Sequence, residues 1–178
     1  MKVDQIVQEI AAQVGEGLIE SHSPKPSRVQ VTIRREALPD VAQLLFGKLG
    51  ARYVVGGGTD LRDEDGCFLI THFFALDRDG VYVTVHCRVP GDDAVVPSIT
   101  PLVPAAAWAE REIYDTVGVR PQGHPDPRRL VLADDWPDDL FPLRQDFALD
   151  ARPPSDTSAR PVLQKAPDGA HVVPIGPF

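Results

Sequence analysis

The chain has 178 residues, 43% hydrophobic and 25% charged, which suits one soluble domain with a single buried core. Its net charge of −8 argues against a nucleic-acid partner, because phosphate binding needs a basic face. Two cysteines, Cys67 and Cys87, form no C-x-x-C and cannot alone fill a four-ligand zinc or iron–sulfur site.

Val3 to Glu20 reads as an amphipathic helix, with Val3, Ile6, Val7, Ile10, Val14 and Leu18 near helical spacing. Ser21 to Ser27 reads as a linker. Arg28 to Arg34 alternates at period two, which predicts a strand with Val29, Val31 and Ile33 inward. Glu36 to Leu49 returns to helical spacing, with Gly50 suited to its C-terminus. A second strand opens at Tyr53 and is expected to loosen into a bend or bulge at Gly56–Gly58.

CFLITHFFAL and VYVTVHCRV then form a hairpin pattern. A three-residue loop, Arg78-Asp79-Gly80, sets Asp77 opposite Val81. The core face then carries Leu69, Thr71, Phe73 and Ala75 against Val89, Cys87, Val85 and Val83. The other face pairs His72 with His86. In this register a Cys67–Cys87 disulfide is out of reach. Most of the prolines follow Val89, and no uncharged run is long and regular enough to span a bilayer. Leu102 to Val117 is the last expected helix. Its stripe of Leu102, Ala106, Ala109, Ile113 and Val117 faces the sheet, and Glu110 flanks the stripe. Trp108, Arg111, Glu112 and Asp115 lie on the far side, where Arg111 and Asp115 are spaced to pair at about 0.3–0.5 kcal/mol. No regular element is expected beyond Gly118.

That helix and the segments on either side of it carry a pattern. Pro97-Ser98 with Thr100, Trp108, Glu110-Arg111-Glu112, Asp115, Gly118, Gly123-His124-Pro125-Asp126, Arg128-Arg129, Pro142-Leu143-Arg144 and Asp146-Phe147 resemble, in order and spacing, a family signature. It is that of the 30 kDa-type subunit of respiratory NADH:quinone oxidoreductase (complex I). The same domain occurs in membrane-bound [NiFe] hydrogenases and formate hydrogenlyase. Thr116 departs from the pattern, which usually has a bulky apolar residue there, and PDDLF before Pro142 is less glycine-like than the family.

The resemblance implies an α+β domain over residues 1–120: a mainly antiparallel sheet with two to three helices packed on it. A long loop-rich tail, 121–178, would dock on a partner subunit. It implies a cofactor-free structural subunit that holds the large subunit of the peripheral arm (of the quinone-reductase or the hydrogenase type) beside neighbouring Fe–S subunits. Those partners would carry FMN and Fe–S clusters, or Ni–Fe in the hydrogenase branch. Trp108, Glu110, Arg111, Glu112, Asp115, His124, Asp126, Arg128, Arg129, Arg144 and Asp146 would bond across subunits or tie down the tail. The location implied is cytoplasmic, or peripheral on the cytoplasmic membrane face. The ending PIGPF resembles the opening of a hydrogenase large subunit, so the alternative is the equivalent domain of the hydrogenase branch, either a separate subunit with a remnant tail or the front of a fusion to that large subunit. A second alternative is a metal-dependent hydrolase using His124 and Asp126 with Asp134 or Asp135.

Overall fold

The computed structural model describes residues 2–148, together with the backbone of 164–165 and 171–172. By contact it divides into two units, Met1–Phe147 and Ala148–Phe178. Residues 121–147, grouped with the tail on sequence grounds, therefore belong to the first unit. In the second unit two short strands, Gln164–Lys165 and His171–Val172, pair antiparallel.

The first unit is α+β. Its sheet has five strands: β1 (Leu18–Lys25), β2 (Arg28–Arg34), β3 (Arg52–Leu61), β4 (Cys67–Leu76) and β5 (Val81–Pro90). Their spatial order is β1-β2-β5-β4-β3. All neighbours are antiparallel except β2 and β5, which run parallel. Three helices cover one face: α1 (Val3–Val14), α2 (Leu38–Ala42, continued by a wider turn through Lys48) and α4 (Ala107–Val117). A single turn, α3 (Arg62–Asp65), links β3 to β4. Under the helices lie Ile6 and Ile10 of α1, Leu38 and Leu45 of the second helix, and the inward residues of β2, β4 and β5. Each such fully buried aliphatic side chain contributes about 1.5–3 kcal/mol.

Local chemistry explains where the elements stop. The first helix ends at Val14, six residues earlier than expected, because Gly15 takes a φ of +52°. The segment from Leu18 then becomes an edge strand where a helix end and a linker were expected. β1 is open to solvent along nearly its whole length, so it carries no alternating apolar signal. Bulges and Pro24 interrupt its free edge, a common guard against strand addition. The second helical segment matches expectation, and Gly50, at φ +66°, ends it.

The β4–β5 hairpin is shifted by one residue from the expected register. Leu76, not Asp77, faces Val81, so the loop is Asp77–Gly80, with the Asp79 N–H bonded to the Leu76 carbonyl. A shift of one residue turns every β4 side chain over. Phe68, Ile70, His72, Phe74 and Leu76 face the core, while Leu69, Thr71 and Phe73 face away. Two phenylalanines, an isoleucine and a leucine bury more apolar surface than the expected set, and that outweighs the preference for a shorter loop. His72 and His86 are accordingly not partners: His72 opposes Val85, and His86 opposes Thr71 on the other face. Cys67 and Cys87 are both free and buried.

The glycine triplet neither bends nor ends its strand. β3 runs on to Leu61, its one irregularity falling at Val54, ahead of the glycines. Gly56 and Gly58 face α4. A Cβ on Gly58 would lie 3.2 Å from Val117 and 3.3 Å from Ile113, so the missing side chains let the helix approach the strand. A further pair, β6 (Val95–Pro97) with β7 (Arg120–Gln122), runs parallel and brackets α4, a regular element beyond Gly118 that the sequence pattern did not reveal.

Candidate docking surface

Proline at position 104 opens the turn that leads into α4, and Gly118 closes the helix at φ +83°. Between them the charged residues divide by burial. Glu110 and Asp115, expected to flank the apolar stripe and to lie opposite it, are both 3% exposed. Glu110 accepts from Ser98 Oγ at 2.5 Å, Thr100 Oγ1 at 2.6 Å and the Ile99 N–H at 2.6 Å. It thereby fixes the Pro97–Thr100 turn against the helix. Asp115 does not pair with Arg111. Its Oδ2 receives three successive backbone N–H groups, from Leu130 (2.7 Å), Val131 (2.8 Å) and Leu132 (3.3 Å). Successive amides converging on one oxygen make an anion nest, here filled by the protein's own carboxylate.

Arg111 donates from Nε to the Arg128 carbonyl and from Nη2 to the Arg129 carbonyl, both at 2.7 Å. One helix turn thus grips the Arg128–Leu132 backbone twice, by its carbonyls and by its amides. Arg129 reaches on to Asp138 at 2.6 Å. Arg128 forks onto Asp126, holding that carboxyl well below the usual range. His124 is buried. Its Nδ1 accepts the Asp126 N–H, so its Nε2 carries the proton and donates to the Ala107 carbonyl at 3.1 Å.

The last stretch is tied down from the far end of the helix. Arg144 Nε donates to the Val117 carbonyl at 2.7 Å, and its guanidinium lies over the rings of Phe141 and Phe68. Burial lowers its pKa from the ordinary value. Asp60, on β3, is buried and accepts from the Arg62 fork at 2.8 and 2.9 Å and from the Gln145 N–H at 3.0 Å. Arg62 is the main cause of its strongly depressed pKa. Arg62 also reaches Asp146 at 2.9 Å. Asp60 and Arg62 are absent from the expected site. Their only sequence signal is an acid–base pair two residues apart, common on any surface.

Thr116, the residue out of pattern, is buried with its hydroxyl on the Glu112 carbonyl, and its own carbonyl takes the Leu143 N–H. Behind α4, the Tyr53 hydroxyl is hydrogen-bonded to Nδ1 of the fully buried His72 at 3.0 Å. Burial pulls His72 down to about 4 and pushes the Tyr53 phenol up, with the Glu110 charge a second cause.

Most of the expected site residues therefore hold residues 124–147 onto the domain. Glu110 binds the 98–100 turn, and Trp108 and Glu112 stay free of such ties. Trp108 is 71% exposed, and Val131 and Leu143 on the tied-down loop are also open. The described geometry gives the hydrolase alternative no support. Both His124 ring nitrogens are engaged by the backbone, Asp126 is engaged by Arg128, and no metal-holding cluster of His, Cys, Asp and Glu occurs among the described residues.

Residues 31–153 match the family described as respiratory-chain NADH dehydrogenase, 30 Kd subunit. The chain belongs to that family. It is 36% identical to Hydrogenase-4 component G of Escherichia coli over 98% of its own length, which is 32% of that protein. It is 33% identical to the C subunit of NADH-quinone oxidoreductase from a Nocardioides species, over 84% of this chain and 62% of that one. The chain thus spans about a third of the first relative's length and under two thirds of the second's. Its fold matches a chain of the membrane-bound sulfane sulfur reductase, an archaeal respiratory membrane complex, with a TM-score of 0.71. That match has 21% identity and covers 82% of this chain and 85% of that one. Among the described residues no helix is long and apolar enough to cross a membrane.

Proposed function

We propose that this family member is a cofactor-free docking domain of a complex-I-like oxidoreductase. Its α4 and the loop strapped to it would hold the large subunit of the peripheral arm, while flavin, iron–sulfur or nickel–iron groups sit on its neighbours. The observation that carries the reading is the division of labour on α4. Its buried carboxylates and Arg111 are spent on rigidifying the adjoining segments, while Trp108 stands in solvent beside them. An indole that exposed, on a surface so firmly held, suits a pre-organised interface anchor. The two cysteines are buried away from the surface and are too few to ligate a cluster. Peripheral attachment to a membrane complex follows from the same reading. The hydrogenase branch gains support from the likeness to Hydrogenase-4 component G, which runs the length of the chain, tail included.

The test is co-purification of the chain with a large subunit from its native cells. Trp108→Glu is expected to abolish association while leaving the chain's melting temperature within about 2 °C, as for any surface change away from structural features. Undiminished association would overturn the proposal. Nickel in the co-purified large subunit would select the hydrogenase branch, and its absence the quinone-reductase branch.

A further inference from the structure

The helices lie on one face of the sheet, and no described element covers the other. On that open face the cross-strand pairs are Arg28–Tyr82, Gln30–Thr84, Thr32–His86 and Arg34–Arg88 between β2 and β5. Next to them stand Phe73 and, beyond it, Val55. Tyr82, Val55 and Phe73 are 51%, 50% and 38% exposed. A depression of about 320 Å³ lies between Pro24, Arg28, Gln30, Phe73, Tyr82 and Thr84. Around this apolar centre stand five cations, Lys25, Arg28, Arg34, Arg52 and Arg88, against three carboxylates, Glu20 on the sheet and Asp65 and Asp77 at its rims. Arg52 and Arg88 have carboxylate partners, Asp77 and Asp65, at the rims. Lys25, Arg28 and Arg34 have no ion pair among the described residues. The chain as a whole carries −8, so this face is opposite in sign to the rest of the molecule.

We propose that the open sheet face is a second protein interface, separate from the Trp108 surface, and that it takes a polypeptide surface with carboxylates arranged around an apolar centre. Phe73 and Tyr82 supply the desolvated contact. The arginines around them supply fixed forks for carboxylates and steer the partner by charge. β3 separates the two surfaces. Its Gly56, Gly58 and Asp60 face α4, while Val55, Gly57 and Thr59 face the open side, so one rigid sheet holds both. The domain then becomes a spacer gripped from two sides, which goes beyond the single docking surface proposed above.

Site-specific photo-crosslinking of the full-length chain in its native cells tests this. Benzoylphenylalanine replaces Tyr82 in one variant and Trp108 in another, and the adducts are sequenced. The expected result is a Tyr82 adduct on an Asp/Glu-rich peptide different from the one Trp108 labels. Combining it with Arg28→Glu and Arg34→Glu, both on exposed residues, should remove that adduct, and Arg28→Lys should keep it. The Trp108 adduct and the melting temperature should persist throughout. No Tyr82 adduct, or one to residues 149–178 of the same chain, to a second copy, to lipid or to nucleic acid, would overturn the proposal. So would an adduct indifferent to charge reversal. Failure of the Trp108 adduct alone bears on the docking reading and leaves this one standing.

Discussion

At the residue scale, the informative side chains are buried acids that organise backbone. Asp115 satisfies three amides that converge on one of its oxygens. Asp115→Ala is expected to destabilise the domain by about 3 kcal/mol, because it strands those donors, whereas Asp115→Asn keeps an acceptor and costs about 1 kcal/mol. Urea unfolding of the two variants checks the difference. Arg111→Ala, expected to cost within about 0.5 kcal/mol on a surface-pair reading, instead removes two charge-assisted bonds to carbonyls. The expected loss rises to about 2 kcal/mol, with earlier proteolysis near Arg128. None of this was legible in the sequence, where the helical wheel placed Asp115 on a solvated face. A wheel locates a residue's direction about the axis, and it carries no knowledge that a loop fifteen residues later folds back to cover that side.

At the scale of elements, two glycines set distances that no larger residue allows. In Gly56→Ala the new Cβ would stand 2.5 Å from the Tyr53 hydroxyl and 3.2 Å from Ala109. Either α4 moves away from β3 or Tyr53 leaves His72. A loss of about 2 kcal/mol is expected, read as a lower urea midpoint with an unchanged slope. Gly118 ends α4 at positive φ, and a Cβ there would meet Arg144 and, at 2.7 Å, the Phe141 ring. Gly118→Ala is expected to cost at least about 1 kcal/mol in backbone strain and to free residues 141–147 for proteolysis. A cleavage rate in that stretch equal to the parent's would show that Arg144 does not depend on the close approach. Gly118 was legible through the family pattern. The Gly56–Gly58 triplet suggested a bend, since glycine spacing alone cannot tell a turn from a place where a helix presses on a strand.

For the whole molecule, acidity should loosen the fold in two stages. His72 has a folded value of about 4 against an ordinary 6.5, so the unfolded chain binds the extra proton between those values. Stability present above pH 6.5 is lost as pH falls toward 4, by an amount on the order of 3 kcal/mol. Asp60 titrates below its ordinary 3.8 in the folded state, so its contribution is present above that value and is lost only in stronger acid. Melting curves across pH 7 to 3 should show the first decline, and His72→Gln should flatten it. A parent Tm level from pH 7 to 4 would contradict the buried neutral imidazole.

Period-two and period-3.6 patterning determined that a helix from Val3 (though not its end at Val14), the Arg28–Arg34 strand, the helix ending at Gly50, the β4–β5 hairpin and α4 would form. The block from Pro97 to Phe147 determined the family. Those signals are local, carried by side chains within a turn or two of each other. Tertiary structure decided the rest: that β4 turns Phe68 and Phe74 inward, that an unpatterned segment becomes β1, and that Asp115 and Asp60 are buried while Trp108 is not. Each depends on which distant segment arrives to cover a face. The total area buried and the amides left needing acceptors settle that choice, and both exist only once the chain has closed on itself.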